Sequence, residues 1–144
     1  MPDVITFVDE GEQYVTQLLK DRFDSGDVKI FCMNAAGFAA AGAINFGNLT
    51  SNTYADVYSE DPPTVPSPEI IDGDTGYGYA TLSVTLWRAK NHGDSSVTGF
   101  GWVAVDVERE KVIFVTPFVS VFGVGAGETI DVTLSIRCKD ESQP

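Results

Sequence analysis

Histidine occurs once in these 144 residues, cysteine twice, and lysine plus arginine nine times. Each scarcity removes a class of function. His92 sits in a polar turn with no cysteine beside it, and no serine-centred GxSxG elbow exists to recruit it, so nucleophilic catalysis lacks its base. A solvated turn residue is the simpler reading. Cys32 and Cys138 are too far apart for a CxxC or zinc pattern. They read as two reduced core thiols, with a bridge open only if the first and last strands are neighbours. Nine basic residues against 21 acidic ones give a formal charge of −12, which repels phosphate backbones and anionic lipid surfaces. The expectation is therefore no direct nucleic-acid partner, no membrane contact and a soluble outer face. Met1 to Val8 lacks a basic segment followed by a long apolar run, so neither a secretory leader nor a span is expected, and assembly is placed in the cytoplasm.

What is present is core material: 43% apolar and 11% aromatic residues, the balance of a globular chain. A chain of this length forms one domain and buries about 70% of its unfolded surface. The division predicted for 1–144 is an N-terminal arm over 1–8, a helix over 9–25, a β-domain over 26–138 with an extended loop at 35–75, and a tail at 139–144. Neither metal nor disulfide is needed to fold it, and no cofactor is expected.

Between Asp9 and Phe23 the residues Tyr14, Val15, Leu18, Leu19 and Phe23 recur at spacings of three and four, with Glu10, Glu12, Gln13, Gln17, Lys20 and Asp21 on the other face. The pattern predicts an amphipathic helix with Asp9 as N-cap, Glu12 three residues on, and Ser25-Gly26 as its stop. Its apolar stripe is expected to cover one end of a sheet.

Val28 to Met33 is apolar on both faces and predicts an inner strand. From Asn34 to Thr75 periodicity fails, through an alanine- and glycine-rich stretch and then Pro62, Pro63, Pro66 and Pro68. Prolines remove ladder donors, so Asp61 to Pro68 reads as an extended arm or surface loop, with a short strand around Tyr54 to Tyr58 as the competing reading. Ala80, Leu82, Val84 and Leu86 then alternate with Thr81, Ser83, Thr85 and Trp87, the period of a half-buried antiparallel strand. Asn91 to Asp94 turns the chain, and further strands are expected over Phe100 to Val107, Val112 to Val121 and Thr129 to Cys138. In the last, Ile130, Val132, Leu134, Ile136 and Cys138 face one way. Pro117 implies an edge or a bulge. Successive strands joined by short turns make the fold mainly β, an antiparallel β-sandwich or partly closed barrel.

The candidates for chemistry are weak. Asp72-Gly-Asp-Thr-Gly resembles a calcium loop, but Gly76 stands at its third acidic position and Ser83 where a bidentate Glu belongs; a plain turn is the simpler account. Gly99-Phe-Gly-Trp leads into a strand and does not open a helix, so it cradles no phosphate. Asn48-Leu49-Thr50 matches a glycosylation sequon without a leader to bring it to the machinery. Paired carboxylates are everywhere in so acidic a chain, and none stands out as an acid/base couple.

Val8-Asp-Glu-Gly-Glu-Gln-Tyr ahead of the helix, Lys29-Ile-Phe-Cys-Met-Asn, Gly78-Tyr79-Ala80 leading to Trp87, Thr98-Gly-Phe-Gly-Trp-Val and Gly127-Glu-Thr-Ile-Asp-Val-Thr-Leu-Ser-Ile together resemble a group of small proteins encoded among the virion genes of tailed bacteriophages and prophages. The likeness spans most of the chain and departs from the group in the proline-containing middle. It implies a non-enzymatic structural protein of the virion, a capsid decoration or cement protein, with a tail or neck component as the competitor. The implied partners are the major capsid protein, other virion subunits and further copies of the chain, as a homo-oligomer or a multi-copy lattice. Such docking needs apolar anchors on extendable segments; Val4, Ile5 and Phe7 of the arm and Tyr54, Val57, Tyr58 and Val65 of the middle loop are the candidates. No residue is assigned a catalytic, cofactor or metal role. Two other classes stay open: a carbohydrate- or receptor-binding module stacking Tyr77, Tyr79 and Trp87 on a ligand, and a small hydrolase with a carboxylate site.

Overall fold

The computed structural model describes residues 8–72 and 78–138. Helix α1 (Asp9–Asp24) is followed by strand β1 (Val28–Met33), two short helices α2 (Ala35–Ala39) and α3 (Leu49–Asn52) separated by two 3-10 turns, and then β2 (Thr53–Ser59), β3 (Glu69–Asp72), β4 (Gly78–Asn91), β5 (Val97–Asp106), β6 (Lys111–Val124) and β7 (Thr129–Cys138). All seven strands of the described residues join one antiparallel sheet. The protein is mainly β, as its alternating patterns predict.

Strand β1 lies between β2 and β5, the inner position expected of a segment apolar on both faces. Strand β4 carries β2 and β3 along one edge and β7 along the other, while among the described residues β6 pairs only with β5. The described edges of the sheet are thus β6, where Pro117 sits, β7, and the short β3. The sheet curls: Trp102 and Thr116, from β5 and β6, line one groove with Ile130 to Leu134 of β7. Barrel-like curvature brings the edges towards each other without closing the ladder.

Alternation along the strands makes two cores. Val28, Ile30 and Cys32 of β1 and Trp102 and Ala104 of β5 point to the concave side, with Leu82, Val84, Trp87 and Val132. The intervening Met33, Val103 and Val105 point the other way and are covered by Leu49, Ala41 and Ile44. The stretch over 35–52, expected as loop, is therefore a small helical cap for the outer face. Its alanines and glycine permit that closeness. Gly37 in α2 lies against the backbone of Asn52, where an added Cβ would overlap the Asn52 carbonyl oxygen. Asn34 caps α2 by accepting from the Gly37 N–H at 2.9 Å, and its own N–H donates to Asn52 O at 3.0 Å.

The rest of the expected loop also folds onto the sheet. Residues 53–59 form β2, the competing reading for that segment, and 69–72 form β3. Between them the proline segment is extended, as proline requires, but it runs beside β4: Thr64 N–H donates to Leu86 O and Thr64 O accepts from Thr85 N–H, at 2.8 and 3.0 Å. Pro63, Val65 and Pro68 are buried. The contact falls where the β4–β7 register shifts between Val84 and Trp87. This irregularity inverts the pleat. Leu86, inward by simple alternation, is 40% exposed, and Trp87, outward by the same count, is 0% exposed.

Helix α1 has the expected length and stops at Ser25, with Gly26 at φ 84°. Its start and its face differ from expectation. Asp9 is already helical and Val8 occupies the cap without a side-chain bond. The face against the sheet is Glu12, Thr16, Leu19 and Phe23, spaced four, three and four; Phe23 meets Trp87 edge-on at 5.5 Å between ring centroids. Thr16 can be buried because its hydroxyl donates to the carbonyls of Glu12 and Gln13 within the helix. Tyr14, Val15 and Leu18, expected to cover the sheet, face outward.

An ion pair holds the helix end in place. Arg22 donates from Nε and Nη2 to the two carboxylate oxygens of buried Asp106, at 2.8 and 3.0 Å, and Asp106 also accepts from Arg109 N–H in the β5–β6 hairpin. Hydrogen bonding from Arg22 holds the Asp106 carboxyl below the usual aspartate range. A carboxyl with a depressed folded pKa stabilises above its unfolded value of about 3.9, and that contribution is lost as pH falls through the folded value. Asp106→Asn should accordingly be less stable than the parent at pH 7, with the gap narrowing by pH 3; urea unfolding at both pH values measures it.

Candidate functional site

The seven residues offered as docking anchors fall into three groups. Val4, Ile5 and Phe7 lie outside the described residues. Val57 and Val65, 0% and 7% exposed, belong to the concave core and present nothing to a partner. Tyr54 and Tyr58 are half-buried and engaged: Tyr54 donates its hydroxyl to Thr98 O at 2.8 Å, and Tyr58 stacks on His92 at 4.3 Å with Phe31 on its flank. The middle segment uses its apolar side chains for the fold because β2 and the proline strap fill the edge of β4.

His92 is less solvated than its turn position suggests. Its side chain is 19% exposed, with Nε2 3.6 Å from Glu60 Oε1. Asn91 beside it is a structural knot that the sequence disguised as a turn residue. Buried, it donates from Nδ2 to Ser95 O and Val124 O and accepts at Oδ1 from Gly93 N–H, so one side chain joins the β4–β5 turn to the end of β6. Replacing it with alanine removes the buried donor to the Val124 carbonyl together with the ties to Ser95 and Gly93, and should cost about 2–3 kcal/mol, measurable by chemical denaturation.

Cys32 is buried and unbridged on β1, which neighbours β2 and β5, not β7. Burial pushes its thiol up to about 11, so it stays protonated at neutral pH and is no nucleophile. Of the aromatic platform, Trp87 is in the core and cannot stack on a ligand; Tyr77 lies outside the described residues, as do residues 73–76 of the calcium-like turn. Ser83 is a strand residue of β4. No group of three His, Cys, Asp or Glu side chains among the described residues converges on a metal position, and no described helix is long and apolar enough to cross a membrane.

What the described surface does offer is large apolar side chains in the open. Tyr14, Val15 and Leu18 of α1 are 66%, 40% and 50% exposed, and Phe38 and Phe46 of the cap 49% and 37%. Phe38 packs on Phe100 at 6.2 Å, which fixes the ring at the surface. Shallow grooves run beside both groups, one between Leu18, Leu19 and Arg109, the other between Ala41, Ile44 and the edge strand β6. The grooves are open clefts suited to a protruding side chain. The spacing of the α1 residues predicts them in the core, and Phe38 and Phe46 carry no signal because the cap has no periodicity.

No family model matches the chain, and neither a curated protein nor a solved structure matches it.

Proposed function

We propose that the protein is a non-enzymatic structural subunit of a tailed-phage virion, a decoration or cement protein that docks on the major capsid protein and is present in many copies. The observation that carries this reading is the pair of exposed apolar patches, on α1 and on the cap, set on a molecule of charge −12. Exposed apolar side chains next to clefts are what interfaces between proteins bury, while the acidic surplus keeps the free subunit soluble. The resemblance to small virion-gene products points the same way. A cement protein acts by adding contact area across shell subunits, and many weak contacts held at once resist dissociation as avidity. Quantitative mass spectrometry of purified particles from a producing host tests it. The protein should appear at tens to hundreds of copies per particle; particles that lack it while lysates contain it would end the proposal.

A further inference from the structure

The free edge of β7 matches itself, and we infer that two copies of the protein pair along it, β7 against β7 and antiparallel about a two-fold axis, so that one sheet runs through both. Of the three free edges among the described residues, β3 is four residues long and β6 is interrupted by Pro117. Short strands and prolines keep sheet edges from pairing. Strand β7 has neither device: its ten residues include no proline or glycine, its inward side chains are apolar, and the irregularity of its ladder lies on the β4 side. Its outer row of N–H and C=O groups is open to a further strand.

The order of side chains along β7 selects a second copy as that strand. In an antiparallel pair centred on Leu134, Asp131 stands opposite Arg137 of the second copy on the outer face, and Arg137 opposite its Asp131. Thr133 faces Ser135 between them, while on the inner face Val132 faces Ile136 and Leu134 faces its own counterpart. Opposite charges meet twice and like charges nowhere, the self-complementarity that an isologous contact needs. Asp131 already accepts from Arg88 Nε at Oδ1 and from Arg88 Nη2 at Oδ2, at 2.7 and 3.2 Å. An ionised carboxylate has about four acceptor sites, so Asp131 keeps room for a second guanidinium on the side away from β4.

The acidity of the chain does not extend to this edge. The charged residues of β4 and β7 are Arg88, Lys90 and Arg137 against Asp131. Glu128, in the turn before β7, is folded back onto Gly125 N–H, and Asp61 and Glu69 belong to the strap and to β3, on the opposite edge of β4. With Glu128 and with Lys139, Asp140 and Glu141, which follow β7 outside the described residues, the balance along the edge is even. Two such edges approach without the repulsion that a formal charge of −12 would suggest. The groove of about 330 Å³ that Trp102 and Thr116 line with Ile130 to Leu134 opens beside the same strand, and the inner side chains of a second β7 would cover it.

Sedimentation of the full-length protein from about 1 to 200 µM tests the pairing. The expected result is a monomer–dimer equilibrium that Asp131→Arg and Arg137→Asp each weaken at least tenfold, because each variant sets like charges opposite one another at both contacts. Circular dichroism should be unchanged, since both side chains are exposed. An equimolar mixture of the two variants should recover the dimer as a heterodimer, in which every facing pair is again opposite in sign. Amides over 131–137 should exchange more slowly at the high concentration than at the low one. A monomer at every concentration overturns the inference, whether the edge stays open or a different protein takes it. So does a dimer that either variant leaves intact, or a mixture of the variants that stays monomeric. Self-association and particle composition are measured separately, so this inference and the virion reading can each fail without the other.

Discussion

Trp87→Ala should lower the stability of the fold by about 4 kcal/mol, within the 3–5 kcal/mol seen when a buried tryptophan or phenylalanine is truncated. The indole is 0% exposed, meets Phe23 edge-on, and sits on β4 opposite Val132 of β7, so its removal opens a void where helix and sheet meet. Domains of this size have about 5–15 kcal/mol in total, so the variant should unfold at a much lower urea midpoint. Trp87→Phe should be far milder, since Trp87 Nε1 is buried without a hydrogen-bond partner among the described residues and its loss breaks no bond there. The comparison discriminates sharply. Uninterrupted alternation through β4 puts Trp87 on the solvent side, and a cost below 1 kcal/mol for the alanine variant would restore that geometry.

Gly37→Ala is the second large effect, expected at roughly 3 kcal/mol. A methyl group at this position has no room: it would overlap the Asn52 carbonyl oxygen and come within 3.0 Å of the Asn52 carbonyl carbon, both backbone atoms that α3 and β2 hold in place. Relief requires α2 to move away, breaking the Asn34–Asn52 contact and uncovering Met33, Val103 and Val105. Hydrogen exchange should show lost protection over 35–52 with the concave core retained, and denaturation should give the free energy. A variant as protected there as the parent would mean that the cap does not lie on the outer face.

These two sites mark where pattern reading stopped. Strand β7 is legible from end to end because its inward residues, Ile130 to Ile136, keep a strict period of two, the irregularity of the β4–β7 pair lying on the β4 side between Val84 and Trp87. Strand β4 keeps that period only to Val84; the proline strap bridges at Leu86 and shifts the register, a tertiary event with no local signature. Helix α1 was legible as a helix, but its sequence holds two overlapping stripes. Counting apolar residues favours the one with Tyr14, Val15 and Leu18. The fold selects the one ending in Phe23, because that ring must reach Trp87 while Arg22 reaches Asp106. The cap was invisible for a different reason: its helices are too short for periodicity, and they are specified by asparagine caps and a glycine contact across 15 residues of sequence. The candidate anchors suffered accordingly. The aperiodic segment around Val57 and Val65 reads as surface and the spacing of Tyr14, Val15 and Leu18 reads as core, the reverse of where the fold puts them.

The central proposal is adhesion between subunits through the exposed apolar patches. An electron-microscopy reconstruction of the native particle addresses it most directly. The account predicts this curled seven-stranded sheet repeated at symmetry-related positions, with Tyr14 and Leu18 or Phe38 and Phe46 buried at its contacts. A particle with no such density, or one in which both patches face solvent, would contradict it.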